Sequence, residues 1–525
     1  MDIIENEKKK RTILYGLLVT VLVLIGVTYA YYRITKTQTN SNVIGTRTCL
    51  NTTLTEETSE IVLSDAFPIS DEDGLKQSPF TFTLTNNCDS YVKVTIALVS
   101  EYRTSTNTAY LKDNYVKSNL LTKGTNDGSS VILSTLSLGE VDTNTQGYVL
   151  KTTGLKNKEA KSFDLRLWLD SETTNEQGLN KTWKGKIVVS VVAAEYVPTF
   201  AETILANNEV KTPITTPGAA ISTASEALLA STEDDYGTSY YFRGAVTNNY
   251  VEFANKCWRI VRVGGDGSVK LILHNDNTAG VANPCDSANN SASAAFARYS
   301  ETTYTSAFNT NYNDNAYVGF KYGTVGASDY ATTHANTNNS TILTNLEAWY
   351  NNNLKTYEKV IADTVWCNDK TVTDKTYNPW NWSNVNGLGY GTNVTIYGAT
   401  QRLVSTSRSA GGTGPSLKCN GELSKITSKV GLITADELAF AGYAFNIGNT
   451  TTYLQENATD SRWWSLSPNY FIGDRANVWL VYGSNGNFDY NSVYSAGGVR
   501  PSISLKSTTN VTGNGTSSSP FIISM

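Results

Sequence analysis

Residues 462–506 (RWWSLSPNYFIGDRANVWLVYGSNGNFDYNSVYSAGGVRPSISLK) concentrate the side chains whose types and spacing point to chemistry. This stretch has three Trp, four Tyr and five Asn, but no His, no Cys and two carboxylates, a set suited to recognition rather than bond-making. Tyr and Trp supply wide contact area at little cost in side-chain entropy, and Asn and Ser supply adaptable hydrogen bonds. The candidate ligand contacts are Tyr470, Asp474, Arg475, Tyr482, Asn485, Asn487, Asp489, Tyr490, Asn491 and Tyr494, with Asn469 beside them. Trp463, Trp464 and Trp479 are expected to pack into the core. Alternation and turn residues predict a strand over 478–482, a type I′ turn at Asn485-Gly486, a return strand over 487–494 and a closing strand over 502–505. Those elements would present the polar side chains on a stiff hairpin.

Other chemistry is sparse. His274 and His334 stand far apart with no Cys or carboxylate at ligand spacing, which predicts surface or loop histidines. Residues 411–415 (GGTGP) lack the Lys-Ser/Thr step of a phosphate loop. Residues 70–74 (SDEDG) resemble the start of a calcium loop, but Leu75 occupies a position that needs an oxygen ligand, so a turn is expected. No nucleophile elbow or paired-His helix is present. Neither a metal nor another cofactor is expected. The one arrangement that would revive catalysis is a polar cleft on which Asp436, Glu437 or Asp474 converge.

At 525 residues the chain is long enough for two or three domains. Its net charge of −5 offers no basic field for nucleic acid, so none is expected as a partner. Charged residues are few and Asn, Thr, Ser and Tyr are abundant, as in β-rich extracellular proteins. The six cysteines, Cys49, Cys88, Cys257, Cys285, Cys367 and Cys419, form an even set consistent with disulfides outside the cytoplasm. Cys49 would pair with Cys88. The other four allow more than one pairing, of which order and nesting favour Cys257–Cys285 and Cys367–Cys419.

The N-terminus explains how such a protein would leave the cytoplasm. Residues 8–11 (KKKR) precede an apolar run over 13–32, about the 20 residues that cross a bilayer. This predicts a single-pass anchor in 1–33 with a cytoplasmic N-terminus and the bulk of the chain extracellular. Thr28-Tyr29-Ala30 is a serviceable cleavage site, and cleavage there would make the protein secreted. Residues 45–197 alternate apolar and polar positions (Phe80, Phe82, Leu84; Val92 to Leu98; Phe163, Leu165, Leu167, Leu169; 186–192), as an antiparallel sandwich requires. Residues 198–235, rich in Ala, Ser, Thr and Pro apart from a short helix over 200–207, read as a linker. Residues 236–508 combine a hairpin across 264–267, a helix over 341–354 with apolar Ile342, Leu343, Leu346, Trp349 and Tyr350, and a helix from 434 capped by Thr434 and Glu437. Residues 509–525 form a C-terminal strand or tail.

The run Trp463-Trp464-Ser465-x-Ser467-Pro468, the hairpin, and Gly498-Val499-Arg500-Pro501-x-Ile503-x-Leu505 together resemble the end of a C-type-lectin-like domain. The likeness is greatest to the formylglycine-generating-enzyme-like branch and to a group of uncharacterised Firmicutes surface proteins. Residues 431–437 (GLITADE) occupy the slot of that family's helix before the Trp-Ser strand. The catalytic cysteines of the branch have no counterpart, because no Cys follows Cys419, and the calcium-lectin motifs are broken at Ser467-Pro468-Asn469 and Trp366-Cys367-Asn368-Asp369. The order of strands in 45–197 is similar to that of camelysin and biofilm-fibre sandwiches, which implies surface display and, in some members, self-assembly. The expected architecture is therefore mainly β with an α+β C-terminal part: transmembrane helix, antiparallel β-sandwich, linker, C-type-lectin-like α+β domain. The expected function is that of a membrane-anchored surface protein that binds an extracellular glycan or protein without catalysis. The alternatives are a structural fibre or biofilm-matrix subunit that assembles through the β-sandwich, and a surface enzyme on the same scaffold.

Overall fold

The computed structural model of the chain describes residues 34–37, 51–56, 61–64, 66–124, 128–140 and 146–523. The expected membrane segment 13–32, the cleavage site at Ala30 and Cys49 lie outside these residues. Among the described residues no helix is long and apolar enough to cross a membrane. The chain divides into two compact units, 1–197 and 198–525, and is mainly β.

The first unit holds two six-stranded sheets. In one, Trp183–Ala193 lies between Ile34–Thr37 and Val92–Ser100, with Gln146–Leu155 beyond. In the other, Ala160–Asp170 lies between Phe80–Asn86 and Val116–Thr122. Period-2 alternation sends Phe82, Leu84, Phe163 and Leu165 from one sheet and Val94, Ile96, Ile187 and Val189 from the other into one core. Trp168 breaks the pattern: it sits on the polar face of its strand and is 2% exposed. The covering element is the stretch expected to be a turn. Asp71–Lys76 is a helix capped by Ser70, and a Cβ on Gly74 would come within 2.4 Å of the Trp168 ring. The acidic first turn that imitated a calcium loop instead favours the helix N-terminus. Cys88 is disulfide-bonded.

The second unit begins at Pro198, so the expected linker is part of it. The helix Phe200–Asn207 buries Phe200 and Ile204 in its core. The strand Ala227–Asp234 pairs along its whole length with Gly237–Gly244, at the end of an eight-stranded sheet. A low density of apolar residues hid this strand, because Leu228, Leu229 and Ala230 suffice once a neighbouring strand covers them. The same sheet contains the antiparallel pair Lys256–Val263 and Val269–Asn275. Ser502–Leu505 pairs with the latter, and Phe521–Ile523 from the tail runs parallel to Tyr250–Phe253. The helix Thr341–Asn353 buries the five apolar residues its spacing predicts. The helix Ala435–Ala441 carries the Thr434–Glu437 capping box. Cys257–Cys285 and Cys367–Cys419 are bonded.

Candidate functional site

A second sheet carries the candidate hairpin: Trp463–Ile472, Arg475–Val481 and Phe488–Ser492 run antiparallel in sequence order. Trp463, Trp464 and Trp479 are at most 1% exposed. Both faces of Trp463–Ile472 are covered, so consecutive tryptophans can both be buried; Trp464 Nε1 donates to Ser306 O at 2.9 Å. The turn differs from the expected type I′. Tyr482 N donates to Asn487 O and Gly486 N to Tyr482 O, both at 2.8 Å, which makes a longer loop over 483–486. Gly486 takes a φ of +65°, and a Cβ there would lie 2.0 Å from Asn449 O.

The ten candidate contacts do not share one face. Asp474 and Arg475 are exposed at one end of the hairpin, paired with each other at 3.4 Å. Tyr494 is near that end, 46% exposed, with its ring 4.6 Å from that of Tyr312. Asn485 is exposed at the opposite end, where its Oδ1 accepts from Asn487 N, and Tyr482 and Asn487 are half-buried beside it. Asn491 is half-buried and its amide donates to the Tyr482 hydroxyl at 3.4 Å. Asn469 is wholly buried in mid-strand, and Tyr470 is 9% exposed. Side chains along a strand alternate between faces, and one face of this sheet is covered by the core.

Tyr470, Asp489 and Tyr490 do converge, on partners outside the hairpin. Trp380 and Trp382, both half-buried, stack with ring centroids 4.9 Å apart and planes 12° from parallel. Tyr470 lies edge-on beneath Trp382 at 4.7 Å, and Tyr490 edge-on to Tyr470 at 4.9 Å. Such edge-on and offset arrangements are the favoured geometries of aromatic pairs. The loop that carries the tryptophans is fastened at Asn378, whose side chain bonds both the N–H (3.0 Å) and the C=O (2.7 Å) of Trp382. Tyr377 ties the same loop to the helix Gly398–Leu403 and the residue after it, donating to Thr400 O and Val404 O. Trp380 Nε1 is buried with no hydrogen-bond partner among the described residues. Burial pushes the Asp489 carboxyl up to about 6, against opposing pulls from the Tyr490 N–H and Arg408. The result is a rigid aromatic platform with one acidic and one basic side chain at its margin. Trp380, Trp382 and Arg408 were not among the sequence candidates. The spacing Trp-x-Trp inside a Pro/Asn loop was the available signal, since a loop has no core of its own in which to hide two indoles.

Asp436 and Glu437 converge with Asp234 and Asp369, whereas Asp474 is elsewhere. Glu437 Oε1 accepts from Arg262 Nε (2.9 Å) and Lys270 Nζ (2.6 Å), and its Oε2 from Thr434 N (2.9 Å). Asp436 is bidentate on Arg402 at 2.6 and 2.8 Å, and Asp369 holds the third face of the same guanidinium at 2.7 Å. Asp234 accepts from Arg262 at 2.8 Å. Burial alone would raise the Glu437 carboxyl, but Lys270 and Arg262 bring it down to about 2. Every carboxylate oxygen of the cluster has a partner, and the cavity it leaves is about 50 Å³, far below the several hundred Å³ of a small-molecule site. This arrangement locks elements together.

The histidines are not on the surface. Both are 0% exposed. His334 Nε2 meets Gly389 O at 2.7 Å, and burial beside Lys370 lowers its pKa to about 3. Burial, with Arg259 and Arg500 nearby, lowers that of His274 well below its ordinary value. Among the described residues no group of His, Cys, Asp or Glu is placed to hold a metal ion. No protein family, curated protein or solved structure matches the chain.

Proposed function

We propose that the chain is a bacterial cell-surface protein, anchored through residues 13–32, whose C-terminal unit binds an extracellular glycan on the Trp380–Trp382 platform. The observation that carries this reading is the stacked, half-exposed indole pair held by Asn378 beside Tyr470 and Tyr490. Aromatic faces cover the apolar faces of sugar rings, and a platform fixed before binding loses little entropy when it is occupied. The resemblance of residues 463–468 and 498–505 to C-type-lectin-like domains supports the same role, as analogy. The N-terminal sandwich would then be the carrier that displays the unit.

The test is binding of the protein to glycan and cell-wall arrays, in calcium and in chelator, beside the Trp382→Ala variant. Retention in chelator and a loss of about 30-fold or more in the variant are expected, the effect of removing a central aromatic anchor worth about 2 kcal/mol. Unchanged binding by Trp382→Ala would refute the platform, and loss in chelator would move the site to a metal.

A further inference from the structure

Arg243, Arg259 and Arg500 are wholly buried. Two of them have a carboxylate at 3.0 Å: Glu226 pairs with Arg243 and Glu456 with Arg259. Arg500 has no carboxylate partner among the described residues. Its Nε donates to Leu273 O at 2.9 Å, its Nη1 donates to Leu454 O, and its guanidinium lies over the Trp463 ring, 4.8 Å from the centroid. Its Nη2 is buried and has no hydrogen-bond partner among the described residues. Two carbonyls and an indole face do not neutralise a full charge, and a buried ion without a counter-ion is costly.

The surrounding groups supply no balancing charge. Glu456 is matched by Arg259, and Glu437 by Arg262 and Lys270. His274 is buried and neutral, and burial holds the Tyr443 and Tyr453 phenols well above their ordinary value. Burial, with Arg259 adding to it, brings Arg500 down to about 10, so it remains charged at neutral pH.

Tyr453 is the second observation. It is 3% exposed, and its hydroxyl is buried with no partner among the described residues. It precedes Leu454, whose carbonyl holds Arg500, and the two side chains are within electrostatic reach without bonding one another. An acceptor between them would satisfy both donors. A water would do so and leave the charge unbalanced, whereas an anion supplies acceptor and charge together. The residues around the position, Tyr443, Leu454 and Trp463, are 0% exposed, which leaves no opening for a polyatomic anion.

We propose that a single halide ion, chloride in ordinary media, is bound in the core of the C-terminal unit between Arg500 Nη2 and the Tyr453 hydroxyl. The site is independent of the aromatic platform. Its ion completes a junction at which Arg500 already joins the strand Val269–Asn275, the segment of Leu454 and the strand Trp463–Ile472.

The experiment follows thermal unfolding of the full chain, dialysed free of halide, in sodium chloride or bromide and in sodium methanesulfonate at equal ionic strength. Methanesulfonate is too large for a closed site. A saturable rise in melting temperature with halide alone is expected, because a ligand that binds only the folded chain stabilises it. Tyr453→Phe should raise the bromide concentration at half-effect about tenfold, the worth of one hydrogen bond to a charged partner. Lys211→Ala, which removes an exposed cation, should leave that concentration unchanged. Crystals of the wild type grown in sodium bromide should show an anomalous peak between Arg500 Nη2 and Tyr453 Oη, a readout that needs no variant to fold. Water without anomalous signal at that position, equal melting temperatures in halide and methanesulfonate, or an unchanged bromide response in Tyr453→Phe would each overturn the assignment.

Discussion

Asp489 shows how a residue's surroundings outweigh its type. It is one of the two carboxylates between residues 462 and 506, and burial beside Tyr470 and Tyr490 pushes it up to about 6. An aspartate in an unfolded chain ionises near pH 4. Between these values the folded chain keeps a proton that the unfolded chain has released, so this contribution to stability is full below about pH 4 and is lost as pH rises through 6. His334 acts in the opposite sense: its folded value of about 3 lies below the ordinary 6.5, so its contribution is lost as pH falls. The two overlap, and a difference measurement separates them. Urea midpoints of the wild type and Asp489→Asn, compared from pH 4 to 7, should diverge in favour of the variant as pH rises, because the amide has no charge to bury. Parallel profiles would mean that Asp489 ionises normally. None of this was readable from residue type, since an aspartate and a histidine in the sequence reveal nothing of their burial.

At the scale of elements, Glu437 ends one story and begins another. Thr434 and Glu437 mark the start of the helix Ala435–Ala441 from three-residue spacing alone, and the capping box is there. The same carboxylate then binds Arg262 from the strand Lys256–Val263 and Lys270 from Val269–Asn275. Glu437→Gln keeps the cap and the volume but leaves the buried Lys270 facing a neutral amide and Arg262 with Asp234 alone. Removing one partner from such a buried group costs about 3–5 kcal/mol. Urea unfolding of the C-terminal unit should report a loss of that order, and a loss below about 1 kcal/mol would mean that solvent screens the cluster. The folded value of about 2 also predicts that this stabilisation is complete above about pH 4.3 and disappears as pH falls toward 2.

For the molecule as a whole, the boundary at Pro198 has consequences for any fragment. A chain that starts at 236, where composition places the domain edge, would lose Glu226, paired with the wholly buried Arg243 at 3.0 Å, and Asp234, paired with Arg262 at 2.8 Å. It would also lose Phe200 and Ile204 from the core. Residues 198–525 should therefore unfold in one cooperative transition, and 236–525 should show weak near-ultraviolet circular dichroism and no sharp transition. Two equally cooperative fragments would restore 198–235 to the status of a linker.

The sequence by itself determined the elements whose signals are local. Alternation at Phe80, Phe82 and Leu84, the helical spacing of Ile342, Leu346 and Trp349, and the cap at Thr434 each depend on residues within a turn or two of one another. The burial of Trp463, Trp464 and Trp479 was also legible, because large apolar side chains have few other places to go. Only the tertiary structure decided what depends on distant partners. It brought Trp380 and Trp382 to Tyr470 and Tyr490, placed Arg402 between Asp369 and Asp436, and divided the hairpin's polar residues between its two ends. Such contacts join residues tens to hundreds of positions apart, and a side chain carries no local record of which neighbour will cover it.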